Sequence, residues 1–412
     1  MKILYVADTY EIGGAFLAFI DLIGDILEKH QDITPIILTS KQGKNNEFAD
    51  KHGVENYSVG HKAYYMNNGS TLPRKIIRFV LRPALKVRYE LANRKALKKA
   101  ENLIDFKTVD LIHSNSNRND IGAMLAKKYG IPHIWHLREY GEECFTLRKN
   151  YIDYMNNHAD CFIAISHAVA DRWIEKGLDR DKIIVIYDGV GCVLDKSQKL
   201  NDGIVKGVIA GFVSPFKGQY DLIKSLELIK NDIRHKFQLD IYGNVALEYL
   251  MRLKLYVAMH RMGDIVKFKG YVEGVEKLYS DYDIGFMCSK AEGFGRVTVE
   301  YMMSGLCVIA SDTGANQEII EDGINGCLYK YKDRIDLAMK VKNVILDPSR
   351  AMICANRGME DAKRKYTKEI NADNICKLYY KVLKKRAKNE FEYFLTAISE
   401  RFGDDCVIPI YN

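Results

Sequence analysis

The sequence predicts an α/β protein made of two doubly wound halves, each a parallel sheet with helices on both faces. Three observations carry this. Short, β-branched apolar runs alternate with longer stretches of helical period, the pattern of strands joined by crossover helices. The runs are apolar throughout rather than alternating, which suits strands buried on both faces. A length of 412 residues exceeds what one ordinary core holds, so two domains of roughly 150 to 200 residues each are expected.

Taken in order, the first half places strands at KILYVAD, TPIILTS, VDLIHSN, HIWHLRE, CFIAISH and KIIVIYDG. The second half places them at GVIAGFVS, FQLDIYGN, IVKFKGY, DIGFMCS and CVIASDT. Between the halves, GCVLDKSQKLNDG (residues 191–203) is polar and without periodicity, so it reads as the linker. The expected domains are therefore residues 1–192 and 200–377, with a terminal helix over 378–412 packing back on the first.

Composition excludes several classes. The hydrophobic fraction of 47% is that of a globular chain, and no run approaches the length of a membrane span. The opening MKILYVADTY is a strand pattern without a signal-peptide cleavage site, so a cytoplasmic location is expected. Nine cysteines, among them Cys161, Cys288, Cys307 and Cys327, are scattered through mostly apolar runs without ligand spacing, which predicts buried free thiols. The net charge of +7 is modest but concentrated: Arg74 to Lys99 holds ten Lys or Arg against the single acid Glu90. Within it PRKIIRFVLR sets Ile76, Ile77, Val80 and Leu81 on one helical face and Lys75, Arg78 and Arg82 on the other, up to an interruption at Pro83. That pattern suits either a helix lying on an anionic membrane surface, here over residues 73–99 at the inner membrane face, or a surface helix whose apolar face packs on the first domain; no nucleic acid is expected as partner.

The stretch SKAEGFGRVTVEYMMSG carries the chemistry. Ligands of open α/β sheets bind beyond the carboxyl ends of the strands. Glu292 follows the strand DIGFMCS, Gly293 to Gly295 make a turn that lets backbone approach a ligand, and a helix from near Arg296 carries Glu300 in its second turn. Free N–H groups at such a helix start attract phosphate. The bland alternative makes Glu292 a cap and Glu300 a solvated helix residue. Two further strand-to-helix turns weigh against it, one with Gly13 and Gly14 and one with Lys217 and Gly218. The glycine pair does not complete a dinucleotide fingerprint, and Thr39-Ser40 stand where a ribose-binding acid would follow the second strand, so a dehydrogenase is not expected. Asp281 and Asp283 match an Asp-x-Asp metal pattern, but Asp283 opens a buried strand, and no metal is expected there.

With the E-x7-E spacing of Glu292 and Glu300, the Gly-Phe-Gly between them and landmarks such as DLIHSNS, FIAISHAVADRW and VIYDGV, the chain resembles the retaining GT-B glycosyltransferases of the GT4 family (glycosyl transferases group 1). The resemblance implies two Rossmann-like domains facing each other across a cleft, and a nucleoside diphosphate sugar as donor without cofactor or metal. It implies that Glu300 holds the ribose, Glu292 faces the sugar, and Lys217 meets the diphosphate with the amides of Phe294, Gly295 and Gly14. Gly13 and Gly293 belong to the same donor-binding turns, and Tyr271 and Val272 stand where the family holds the base. Arg138-Glu139 replace a frequent His-Asp pair, which puts them on the acceptor or sugar side, and His136 reads either as a further catalytic candidate or as a structural histidine at a strand end. The family's usual Arg five residues before the phosphate-binding Lys is here Phe212, so either another cation, with Arg296 the candidate, replaces it or donor binding is weaker. The implied activity is transfer of a hexose to a glycan or lipid-linked acceptor in bacterial-type surface polysaccharide or glycoconjugate synthesis. The alternatives are a non-catalytic glycosyltransferase-like partner subunit and another GT-B enzyme, such as a sugar-nucleotide epimerase.

Overall fold

The computed structural model describes the backbone of residues 1–7, 13–63, 66–67, 72–141, 145–146, 150–191 and 203–402, and side chains there except at 66–67, 72–80, 82, 145–146 and 389–402. All but the ends of the expected linker, the basic side chains at 74, 75, 78 and 82, and the chain after 402 lie outside the described residues.

Strands of the first half are β1 (Lys2–Val6), β2 (Thr34–Thr39), β3 (Glu55–Ser58), β4 (Met66–Asn67), β5 (Leu111–Ser114), β6 (His133–Leu137), β7 (Phe145–Thr146), β8 (Cys161–Ala164) and β9 (Ile183–Val185). Those of the second are β10 (Val205–Ala210), β11 (Phe237–Tyr242), β12 (Val266–Gly270), β13 (Ile284–Met287), β14 (Cys307–Ser311) and β15 (Cys327–Tyr329). They form a seven-stranded sheet ordered β3-β2-β1-β5-β6-β8-β9 and a six-stranded sheet ordered β12-β11-β10-β13-β14-β15, while β4 and β7 pair apart. Both large sheets are parallel throughout. Central strands such as β5, β6, β13 and β14 are buried along their whole length, as continuous apolar runs require when helices cover both faces.

In each sheet the strand order reverses once, between β1 and β5 and between β10 and β13. A crevice opens at such a reversal because the connections on either side run to opposite faces. The turns carrying Gly13-Gly14, Lys217 and Glu292 all follow strands at these two reversals.

Two helices depart from the sequence reading. The Leu72–Leu103 helix continues through Pro83 instead of being interrupted there. A proline removes one hydrogen bond and crowds the preceding turn, yet the flanking Leu81, Arg82, Ala84, Leu85 and Lys86 are all strong helix formers. The terminal helix begins earlier, at Lys368, and runs to Phe402. Its Ala372, Ile375, Cys376, Leu378 and Tyr379 are buried in one cluster with Ile3, Tyr5, Phe19 and Leu111 of the first half. Where the chain returns, Val190 bridges Thr367, and the N–H groups of Val190 and Lys368 donate to Tyr366 O (2.9 Å) and Val190 O (3.2 Å). Among the described residues no helix is long and apolar enough to cross a membrane.

Candidate active site

The site is built where the two reversals face each other. After β10 the chain makes a tight turn, Pro215–Lys217, and Gly218 follows with φ 73°. A Cβ at Gly218 would lie 2.1 Å from Cys288 O, so only glycine allows the turn to lie against the end of β13. That contact brings Lys217 Nζ to 2.6 Å from Glu292 Oε1. The backbone of Glu292 is held in turn: its carbonyl accepts from Tyr140 Oη (2.7 Å) and from the N–H of Ala315 (3.1 Å). Gly293 O accepts from Ser166 Oγ at 2.5 Å.

Gly295, with φ 80°, leads into the Arg296–Met303 helix, which carries Glu300 inward. Burial raises the Glu300 carboxyl to about 7 against the opposing pull of Arg296. Arg296 Nε lies 3.5 Å from Glu300 Oε1, its Nη1 donates to Gly189 O (2.6 Å), and its Nη2 donates to Asp21 Oδ2 (2.6 Å). The candidate replacement for the arginine missing at Phe212 is thus already bound to protein partners. Phe212 itself is exposed. Gly14 opens the Gly14–Lys29 helix, and a Cβ there would touch Arg296 Cδ at 3.6 Å. The helix starts at Gly14 and at Arg296, one from each half, therefore stand side by side.

The structure brings together Gly13, Gly14, Lys217, Glu292, Gly293, Phe294, Gly295 and Glu300. Tyr271 and Val272 lie beyond β12, with Tyr271 open to solvent. His136 is placed otherwise. Its side chain is wholly buried, Nδ1 accepting from Arg138 Nη2 (3.4 Å) and lying 3.1 Å from His113 Nε2. Since arginine only donates, His136 Nδ1 is the acceptor, so His113 Nε2 donates to it and Tyr379 Oη donates to His113 Nδ1 at 2.6 Å. Burial, with Arg138 adding to it, lowers both imidazoles well below their usual range, so they are neutral. Reading His136 as a group that touches substrate gives way to a buried link in this chain. Arg138 is buried too, its Nε donating to Asn115 Oδ1 (2.8 Å) and its Nη1 to Asp188 Oδ1 (2.5 Å). Glu139 is more open, 3.4 Å from Arg118 Nη2.

Sequence reasoning missed Glu318. Its carboxylate accepts from the N–H groups of His167 (2.9 Å) and Ala168 (2.7 Å) at the start of the His167–Glu175 helix, and from Tyr187 Oη (3.0 Å). A second-half carboxylate thus caps a first-half helix, while Ser166, the N-cap, also reaches across to Gly293. Ser166 before a helical run was a legible cap signal; Glu318 had none. Asp283 is engaged structurally, accepting the N–H of Lys206 at 2.9 Å and so tying β13 to β10.

Two family models match in order along the chain: "Glycosyltransferase Family 4" over residues 46–192 and "Glycosyl transferases group 1" over residues 195–361. An uncharacterized glycosyltransferase of Methanocaldococcus jannaschii is 28% identical over 297 residues, 69% of this chain and 79% of that protein. A capsular polysaccharide biosynthesis glycosyltransferase of Staphylococcus aureus is 23% identical over 237 residues, 54% of this chain and 62% of that protein. The crystal structure of Anabaena HepE in complex with UDP and glucose superposes with a TM-score of 0.72 over 92% of this chain and 100% of that one, at 20% identity, a likeness of fold. With both halves matched in sequence and the two facing sheets matched in space, the chain belongs to the GT4-like glycosyltransferases of the GT-B fold.

Proposed function

We propose that the protein is a retaining hexosyltransferase that takes its sugar from a nucleoside diphosphate donor, needs no metal, and serves the synthesis of a surface polysaccharide or glycoconjugate. The observation that carries this reading is the Lys217–Glu292 pair at 2.6 Å, followed by the Arg296–Met303 helix in which Glu300 is buried. A departing diphosphate needs positive charge in a preorganised place. Lys217 supplies a mobile ammonium, and the amides of Phe294, Gly295 and Gly14 supply fixed dipoles. Released from Lys217 as the diphosphate arrives, Glu292 faces the reacting sugar, where positive charge develops. The Glu300 carboxylate accepts two hydrogen bonds from the ribose diol, and Tyr271 and Val272 flank the base. Arg138 and Glu139 shape the sugar and acceptor side, and His136 acts through Arg138 as a positioning residue. The nucleotide sugar is supported by the UDP and glucose in HepE, and the polysaccharide role by the capsular relative. A lipid-linked acceptor would be reached from the inner membrane face through the basic helix of residues 73–99.

A transfer assay over a panel of nucleotide sugars tests the reading. Glu292→Ala is expected to lower kcat by on the order of 100-fold, Glu300→Ala chiefly to raise the donor KM, and Lys217→Ala to weaken the nucleoside diphosphate far more than the nucleoside. Activity is expected to persist in a chelator, and the product to keep the donor's anomeric configuration by NMR. Undiminished turnover in folded Glu292→Ala protein, or an inverted product, defeats the assignment.

A further inference from the structure

The Leu247–Met259 helix joins β11 to β12, the edge strand of the second sheet. Its inner face is ordinary: Leu253 and Val257 are buried in the core beneath it. Its outer face is apolar as well. Leu247, Met251, Leu255 and Met259 recur every fourth residue and are 72%, 62%, 62% and 70% exposed, with Ala258 exposed among them. At about 100° per residue these five fall within roughly a third of the helix circumference, opposite Leu253 and Val257. A helix that is apolar on two opposite faces is stable in water only when both are covered. The charges around the row are few and ordered. Glu248 stands at its start and Arg261 just past its end, both exposed. Arg252 is drawn aside over the Tyr220 ring, 5.0 Å from its centroid, and Lys254 borders the row in solvent.

We propose that this row is where two copies of the chain pair, helix against helix in antiparallel order, about a two-fold axis passing between Met251 and Leu255. None of the transfer chemistry uses these residues. A ridge of side chains spaced by four packs into the grooves of another ridge of the same spacing, with the axes crossing at about −50°. The second copy carries that ridge by construction, and Met251 of each copy then meets Leu255 of the other. Antiparallel order turns Glu248 of each copy toward Arg261 of the other, whereas parallel order would set like charges together. Covering the row in both copies takes on the order of 1,000 Å² out of water, about the least that a specific interface needs. Arg252 and Lys254 remain at the margin as the polar rim such an interface carries. A lipid headgroup layer, the other surface that takes up apolar rows, requires neither a ridge of fixed spacing nor an acid at one end.

Sedimentation velocity on the full chain tests the pairing. A dimer is expected, and the Met251→Glu, Leu255→Glu double variant is expected to weaken it by about 100-fold or more, because each glutamate would be buried against an apolar partner. Both positions face solvent within one chain, so the variant is expected to keep the native circular dichroism spectrum and nucleoside diphosphate affinity. Order is read separately by mixing Met251→Cys protein with Leu255→Cys protein under mild oxidation. A disulfide-linked peptide joining position 251 of one chain to position 255 of the other is expected, and it disappears on reduction. A native chain that stays monomeric at about 0.1 mM, weaker than any specific pairing of this area, overturns the proposal. So does a dimer that persists in the double glutamate variant or that never yields the 251–255 link. A monomer that binds anionic vesicles, and loses them in the double glutamate variant, would make lipid the occupant and overturn it too.

Discussion

Glu300 sits in the second turn of its helix with burial raising its carboxyl from 4.5 to about 7, so at neutral pH it is poised between two charge states. The raised value means that the folded chain holds this proton more tightly than the unfolded chain. Its contribution to stability is present below pH 4.5 and is lost as pH rises through 7. A ribose diol needs the carboxylate as acceptor, so binding runs the other way and tightens as pH rises. Between pH 6 and 8 the affinity for the donor's nucleoside is expected to increase about tenfold, since one ionisation near 7 controls it. Calorimetry with the nucleoside removes the phosphate's own titration, and the slope is expected to vanish in Glu300→Gln; an equal slope in that variant would remove Glu300 from ribose binding. Glu292, Lys217 and Glu300 were legible because each is tied to a local turn or helix spacing. The Arg138–Asp188 pair was not, since its partners stand 50 residues apart, and no local pattern shows that His136 is buried.

The Leu72–Leu103 helix has two distinct faces among its described side chains. Tyr89, Asn93, Ala96 and Ala100 are buried against the first half, while Leu81, Leu85, Val87 and Leu91 are 40–54% exposed beside Lys86, Arg88 and Lys95. An apolar row left in solvent with basic neighbours fits the proposed docking to anionic lipid. Sedimentation with anionic liposomes is expected at low salt, falling steeply between roughly 0.05 and 0.5 M as the charges are screened, and weakening in the Lys86→Gln, Arg88→Gln, Lys95→Gln triple variant. Equal recovery with neutral liposomes would exclude it. Among elements, the long apolar strands were readable from sequence, whereas β3 (ENYS) and β15 (CLY) were not. Both are short edge strands, and ENYS offers little apolar signal because its side chains are only half buried. Helix continuity through Pro83 was hidden for a different reason: the strong helix formers on either side outweigh a single local breaker.

At the scale of the whole molecule, the two halves meet through hydrogen bonds rather than through a linker alone: Glu318 to the His167 helix, Ser166 to Gly293, Tyr140 to Glu292, and Arg296 to Asp21. Glu318→Ala removes the only one of these that caps a helix across the cleft, a change worth about 0.5–2 kcal/mol. The unliganded variant is expected to melt a few degrees lower and to show a larger radius of gyration by X-ray scattering, with donor restoring the smaller value; an unchanged radius would mean that Glu318 does not hold the halves together. The division into two sheets could be read from sequence, but the contacts between them join residues too far apart to leave a pattern. The returning terminal helix has a consequence for how the chain is born. Tyr379 completes the cluster around Tyr5, and its hydroxyl meets His113 across 266 positions of sequence. A nascent first half therefore emerges with an apolar groove and with His113 Nδ1 lacking its Tyr379 donor, and must wait through the synthesis of the entire second half before either is covered. The second half, whose sheet draws only on strands from Val205 to Tyr329, has no such delay, so the part made last can close first.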